Sequence, residues 1–139
     1  MARQDSRGSA RVDPIGACPC GRGLPYPDCC GRLHSGAAQA PTAEALMRSR
    51  YAAFAVGDSD YLLRTWHTST RPARLPLDPG QRWTGLEVVA TEQGGLFDST
   101  GTVEFRAHYR EGTQTGTMTE RSRFVRADGR WVYLDVDQP

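Results

Sequence analysis

Four cysteines fall within thirteen residues, as Cys18-Pro19-Cys20 and Cys29-Cys30, a C-x-C-x8-C-C arrangement with Gly21, Gly23 and Pro25 between the pairs. Thiolate sulfur is a soft ligand, and tetrahedral Zn(II) takes four such ligands at about 2.3 Å. Two close pairs joined by a glycine-rich loop can converge on one ion, because glycine lets the backbone turn tightly around it. With every position filled by protein, such a zinc has no open site for substrate and is structural rather than catalytic. Four thiolates around one divalent ion leave a formal charge of about −2, which Arg22 and Arg32 are spaced to offset. The other readings of neighbouring cysteines are bystander thiols, a redox pair or a disulfide framework. In a reducing compartment clustered cysteines are metal ligands before they are disulfides. An adjacent Cys-Cys pair is geometrically demanding, so His34 is the alternative fourth ligand in place of Cys30.

A second set of chemically capable residues is Trp66-His67-Thr68-Ser69-Thr70-Arg71-Pro72. An imidazolium at a helix C-terminus is favoured by the helix dipole. His67 could then act as a general acid or base and Arg71 as an anion clamp, with Glu120 or Glu104 as carboxylate partner. The same residues can instead cap the helix and build a hydroxyl-stabilised turn. That structural version is preferred, because no compact catalytic signature accompanies the histidine. No catalytic residue is assigned.

The elements that must position these groups divide the chain into modules. Residues 1–17 contain no aromatic side chain and cannot offset the entropy of ordering, so they are expected as a disordered arm. Residues 18–34 form the cysteine module, and 35–41 is a small-residue linker ending in proline. The segment 42–137 holds all four Phe, all three Trp and four of the five Tyr, so the hydrophobic core lies there. Thr42 is a helix N-cap, Glu44 suits the positive end, and Met47, Tyr51 and Phe54 fall on one face. The spacing puts Arg48, Arg50 and Asp60 on or beside the wetter faces. Gly57 ends that helix and Asp58 caps a short second one carrying Tyr61, Leu62, Leu63 and Trp66, with Pro72 forbidding continuation.

From Trp83 the pattern changes to period two. Strands are expected over 83–92, 102–110, 116–126 and 130–137, separated by Gly94-Gly95, Glu111-Gly112 and the hairpin pair Asp128-Gly129. Short turns force an antiparallel meander, and two helices before it make an α+β domain with the helices on one sheet face. On the third strand Glu120, Ser122 and Phe124 share the inner face, and a half-buried Glu120 needs a donor, with Arg48, Arg50 and His67 as candidates. On the fourth, Trp131, Tyr133 and Asp135 share a face as an aromatic wall with a polar rim. His108 is expected on the surface.

Composition excludes several classes. All 17 cations are arginine, the net charge is +1, and residues 1–41 carry only +2 (five Arg, three Asp), which argues against nucleic-acid binding. The longest apolar runs, such as Ala52 to Val56, are far short of the ~20 residues a membrane span requires. No apolar leader is present at the start, so a cytoplasmic location is expected.

Residues 18–30 resemble the SEC-C motif, a zinc knuckle also found at the C-terminus of the translocation ATPase SecA, with Arg22 where serine is common in that motif. Leu46-Met47-Arg48-Ser49-Arg50-Tyr51, Tyr61-Leu62, Thr65-Trp66-His67, Ser69-Thr70-Arg71-Pro72 and Glu120-Arg121-Ser122-Arg123-Phe124 extend the resemblance over nearly the whole ordered chain, to the YchJ family. Many members carry a second SEC-C motif at the C-terminus; no cysteine follows Cys30 here. The resemblance implies a central domain of the nuclear-transport-factor-2-like (NTF2-like) cone fold, with helices packed on a curved antiparallel sheet. It implies an architecture and no reaction. Such a cone encloses a cavity that holds a ligand or is filled by packing, and its candidate lining is Trp66, His67, Arg71, Glu120, Ser122 and Trp131.

Two functional expectations follow. The first is a zinc-binding cytosolic accessory or adaptor protein whose knuckle meets another protein, with chaperone, ribosome or translocation components as partners by analogy with SecA. The second is a small-molecule-binding protein or enzyme using the cone cavity. A cavity plugged by Trp66, Trp131 and Phe124 would dispose of the second.

Overall fold

The computed structural model describes residues 16–137. Most of the expected arm lies outside that range. Gly16 and Ala17, expected within the arm, are instead held by the cysteine module: Gly16 accepts a hydrogen bond from Tyr26 N at 3.0 Å and Ala17 pairs with Pro25. Four helical segments follow: a 3-10 turn at Tyr26–Asp28, then α1 (Cys30–His34), α2 (Ala43–Val56) and α3 (Ser59–Arg64). The strands β1 (Gln81–Gln93), β2 (Thr100–Glu111), β3 (Gln114–Ala127) and β4 (Arg130–Val136) form one antiparallel sheet in the order β1-β2-β3-β4.

The helix boundaries have local causes. Thr42 Oγ1 accepts the Ala45 N–H at 3.0 Å, and Asp58 Oδ1 accepts the Tyr61 N–H at 3.0 Å, so both expected N-caps are made. Gly57 ends α2 at φ 83°, a left-handed position where other residues are strained. Pro72, Pro76 and Pro79 keep the chain between α3 and β1 out of regular structure. Asp128 and Gly129 both take positive φ, at 54° and 79°, as a tight two-residue hairpin requires. The β2–β3 turn falls at Gly112-Thr113, one residue later than expected, because β2 pairs out to Glu111.

Sheet curvature comes from breaks in register. β1 is bulged between Trp83 and Gly85 and again between Val88 and Ala90, and the β3–β4 ladder shifts between Arg123 and Phe124. Bulges add twist and bend a strand. They also change which face a side chain takes. Asp135 was expected beside Trp131 and Tyr133; the shift at Leu134 pairs it with Arg123 instead, on the outer face, in a two-pronged ion pair at 2.6 and 2.7 Å. A strict period of two cannot survive an odd-residue insertion.

The core lies between α2 and the concave sheet face, where Leu46, Met47 and Tyr51 meet Val103, Phe105, Phe124 and Trp131. The opposite side of α2 is covered too. Ala52 joins the buried sulfur cluster, and Ala53 packs with Leu33, Tyr61 and Leu62. Ten of the fourteen α2 residues are therefore buried, Ser49 and Arg50 among them. This corrects the expectation that Arg50 sits on a wetter face: a helix roofed on both sides has none there. Residues Thr65 to His67 then lie along the β4 edge, with His67 N donating to Tyr133 O at 2.7 Å and Tyr133 N to Thr65 O at 2.8 Å.

Candidate functional site

The cysteine centre is assembled from two short loops. Cys18 N donates to Leu24 O at 2.8 Å, and Gly21 and Gly23, both at φ 87°, carry the chain around. The Tyr26–Asp28 turn then delivers the second pair. Cys29 is the N-cap of α1 and Cys30 its first residue, with Cys29 at φ −122° and ψ −114°. The break between loop and helix falls between the adjacent cysteines and lets both sulfurs point inward. All four thiols are buried and free of disulfides, and the four sulfurs lie within 4.8 Å of one another, Cys20 Sγ and Cys29 Sγ at 3.5 Å. Ligands of a tetrahedral ZnS4 centre stand about 3.8 Å apart, whereas a disulfide needs about 2.05 Å.

Electrostatics supports a cation here. Hydrogen bonds from Cys20 and Cys30 hold the Cys18 thiol down to about 3, while the matching contacts, with burial, push Cys30 up. Sulfurs so close resist simultaneous ionisation, and a divalent cation removes that conflict. Arg22 and Arg32 line a recess beside Cys29 and Cys30, and Arg48, which spacing alone did not connect to this centre, donates from Nη1 to Cys20 O at 2.8 Å. His34 is engaged elsewhere: Nδ1 meets the Tyr26 hydroxyl at 2.6 Å and Nε2 the Ser49 carbonyl at 2.8 Å. It does not take the place of Cys30.

The cone domain holds an open cavity of about 400 Å³ between α2 and the sheet. Tyr51, Phe54, Trp83, Phe105 and Tyr109 supply much of its apolar wall, and Arg50, Glu120, Ser122 and Tyr133 its polar lining. Arg50 is only 7% exposed. Its Nη1 donates to Leu62 O and Thr65 Oγ1, each at 2.7 Å, and its guanidinium packs beside the edge-to-face pair of Trp66 and Tyr133, 5.2 and 4.8 Å from their ring centroids. Burial lowers its pKa to about 10, so it remains cationic at neutral pH. Burial likewise raises Tyr51 and Tyr133 to about 12, keeping both phenols protonated. Glu120 Oε2 accepts from Ser122 Oγ at 2.7 Å. Ser122 is thus a donor to Glu120, and the Tyr133 hydroxyl also faces that carboxylate. Arg48 pairs with Glu44 instead, and His67 with Ser69.

The six candidate pocket residues do not share one cavity. Trp66, Glu120 and Ser122 line the cone. His67, Arg71 and Trp131 line a second recess of about 330 Å³ on the other side of Trp66. His67 Nδ1 accepts the Ser69 N–H at 3.0 Å, and Arg71 donates from Nε and Nη2 to Trp66 O at 3.2 and 3.0 Å. Trp131 is core, with Nε1 donating to Pro41 O at 3.3 Å and Arg126 over its ring. Arg50 was expected near a wetter face and as a candidate donor for Glu120, not as cavity lining; its place in the cavity depends on the double covering of α2.

A curved meander under a central helix, with a tight four-cysteine cluster docked on that helix, defines an NTF2-like domain carrying a SEC-C-type module whose four cysteines could hold a metal ion. The description "YchJ, middle NTF2-like domain" matches residues 42–136. The chain belongs to the YchJ family, also designated UPF0225. It is 64% identical over 122 residues to a UPF0225 protein of Streptomyces coelicolor, covering 88% of this chain and 95% of that one. It is 56% identical to a UPF0225 protein of Corynebacterium glutamicum, over 86% and 97% of the two chains. Among solved structures it is similar to a SEC-C motif containing protein from Rhodopseudomonas palustris, with a TM-score of 0.75 and 36% identity over 89% of this chain and 99% of that one. A SEC-C motif containing protein from Psychrobacter arcticus gives a TM-score of 0.72 and 30% identity, over 91% and 85%. Among the described residues, no helix is long and apolar enough to cross a membrane.

Proposed function

We propose that this chain is a zinc-stapled protein whose cone cavity binds a small organic molecule. The observation that carries the reading is the open cavity of about 400 Å³, apolar in its walls with a few convergent polar groups, the usual make-up of a ligand site. Trp66 and Phe124 line that space without plugging it, and Trp131 stands outside its lining. Cys18, Cys20, Cys29 and Cys30 hold the zinc, which fixes the knuckle against α2 and offers no coordination position to a substrate. In this reading 18–34 is the knuckle, 35–41 the connection and 42–137 the binding domain. The test is titration with N-phenyl-1-naphthylamine, a neutral probe that fluoresces in apolar sites. Saturable binding to the folded protein, weakened by Met118→Trp at the cavity lining, is expected. No binding at the probe's solubility limit would overturn the reading.

A second reading keeps the accessory or adaptor role in the cytoplasm, with chaperone, ribosome or translocation components as partners by analogy with SecA alone. It is favoured by the outer rim of the knuckle, where Arg22 and Arg32 are exposed and Leu24 is 45% exposed. Partners captured by the wild type should be lost from an Arg22→Glu, Leu24→Ser double variant of unchanged stability, and an identical partner set counts against it.

A further inference from the structure

Resting on the cavity reading, we infer that the cone takes a neutral, planar molecule whose polar edge carries an N–H donor and a carbonyl acceptor side by side, as a lactam or cyclic amide does. Arg50 and Glu120 together make this selection.

A guanidinium has five N–H donors. In Arg50 the two bonds from Nη1 are directed to α3, and among the described residues Nε and Nη2 have no hydrogen-bond partner. Unpaired donors on a side chain this buried are costly unless a bound molecule or water meets them. Packing against the edge-to-face Trp66–Tyr133 pair and the two bonds from Nη1 tether the guanidinium, which restricts where its remaining donors can point. Glu120 lines the same cavity, accepts from Ser122 through Oε2 and has the Tyr133 hydroxyl as a second donor, and a carboxylate with about four lone-pair sites retains room for a further N–H. The two side chains attract one another electrostatically, yet among the described residues they do not close to the 4.0 Å of an ion pair. A cation and an anion held apart in one apolar chamber leave a gap that wants an acceptor on the arginine side and a donor on the glutamate side.

Charge selects further. The chamber already holds one positive and one negative group, so a charged ligand would bring an uncompensated charge among aromatic walls, whereas a neutral one leaves the balance intact. The walls select for shape. Phe54, Tyr51 and Tyr109 pack around Trp83 with ring centroids 5.5 to 6.1 Å apart, offering edges and faces to a flat ring.

Tryptophan fluorescence titration with four bicyclic aromatics of similar size tests this: 2-quinolone (lactam), quinoline (acceptor only), naphthalene (no polar group) and 2-naphthoate (anion). The lactam should bind at least about tenfold more tightly than naphthalene, the effect of two modest hydrogen bonds. Arg50→Gln and Glu120→Leu should each reduce the ratio of lactam to naphthalene affinity, measured on the same variant, to about one. Should Arg50→Gln fail to fold, Glu120→Leu still decides. Equal binding of all four would overturn the inference and leave the cavity reading standing. Tightest binding by 2-naphthoate would overturn it by making Arg50 an anion anchor. Binding by none would remove both.

Discussion

His34 shows what one buried polar residue contributes. It is 9% exposed, bonded at both ring nitrogens, and placed between the rings of Tyr26 and Tyr61. It ties the knuckle to α2 through the Ser49 carbonyl. Burial lowers its pKa below the ordinary 6.5, with Arg64 lowering it further and Asp58 and the Ser49 carbonyl opposing. The unfolded chain therefore binds a proton near pH 6 that the native protein refuses. Stability from this site is full above the unfolded pKa and is lost as pH falls through it. Denaturant midpoints of the wild type should drop between pH 7 and pH 5.5, and His34→Gln should show a smaller drop. Thiolate protonation contributes to both proteins, so the difference between the slopes isolates the imidazole; equal slopes would refute this.

At the scale of elements, the seat of α2 on the β1–β2 hairpin is a close backbone contact. Ala43 N donates to Gly94 O at 2.9 Å, and Gly94, just past the end of β1, donates to the carbonyl of Thr100, the first residue of β2, at 3.0 Å. A Cβ on Gly101 would stand 2.5 Å from Gly94 Cα and 3.3 Å from Ala43 Cβ. Backbone on one side and helix on the other leave it nowhere to go. Gly101→Ala should cost about 1–3 kcal/mol, the range for overpacking, read as a lowered denaturant midpoint with unchanged slope. A neutral substitution would show that α2 can ride up from the sheet. Nearby, Arg126 holds the β1–β2 loop through the carbonyls of Gly95, Leu96 and Asp98, leaving Phe97 fully exposed.

At the scale of the molecule, knuckle and cone share one helix. Sulfur cluster, Ala52, Arg48 to Cys20 O, Arg64 to His34 O at 2.6 Å and His34 to Ser49 O all cross the boundary between them. With the cysteines holding zinc as proposed, removing that metal should weaken the cone as well as the knuckle. Stripping by chelator, or Cys20→Ser, should lower the melting temperature by several degrees or more while the near-UV aromatic signal and the far-UV signal move in one transition. Two separate transitions, with the cone melting unchanged, would show the knuckle to be an independent appendage. The outer sheet face is laced with ion pairs, among them Arg121 with Glu92 and Asp137 and Arg123 with Asp135.

Local chemistry was legible from residue order alone. Caps at Thr42 and Asp58, the stop at Gly57, the Asp128-Gly129 hairpin and the convergent cysteines all act over a few neighbouring residues, where sterics and single hydrogen bonds decide; the second helix instead ends at Arg64, well before Pro72, and Trp66, expected on it, bridges to Tyr133. Strand pairing followed from turn lengths. Face assignment failed where a bulge inserted an odd residue, as at Asp135, because period and register are separate quantities. The burial of Arg50, the separation of His67 and Arg71 from the cone, and the engagement of His34 away from the sulfurs were decided only by tertiary structure. Each depends on what lies against the far side of an element, and no residue spacing within that element encodes its neighbour.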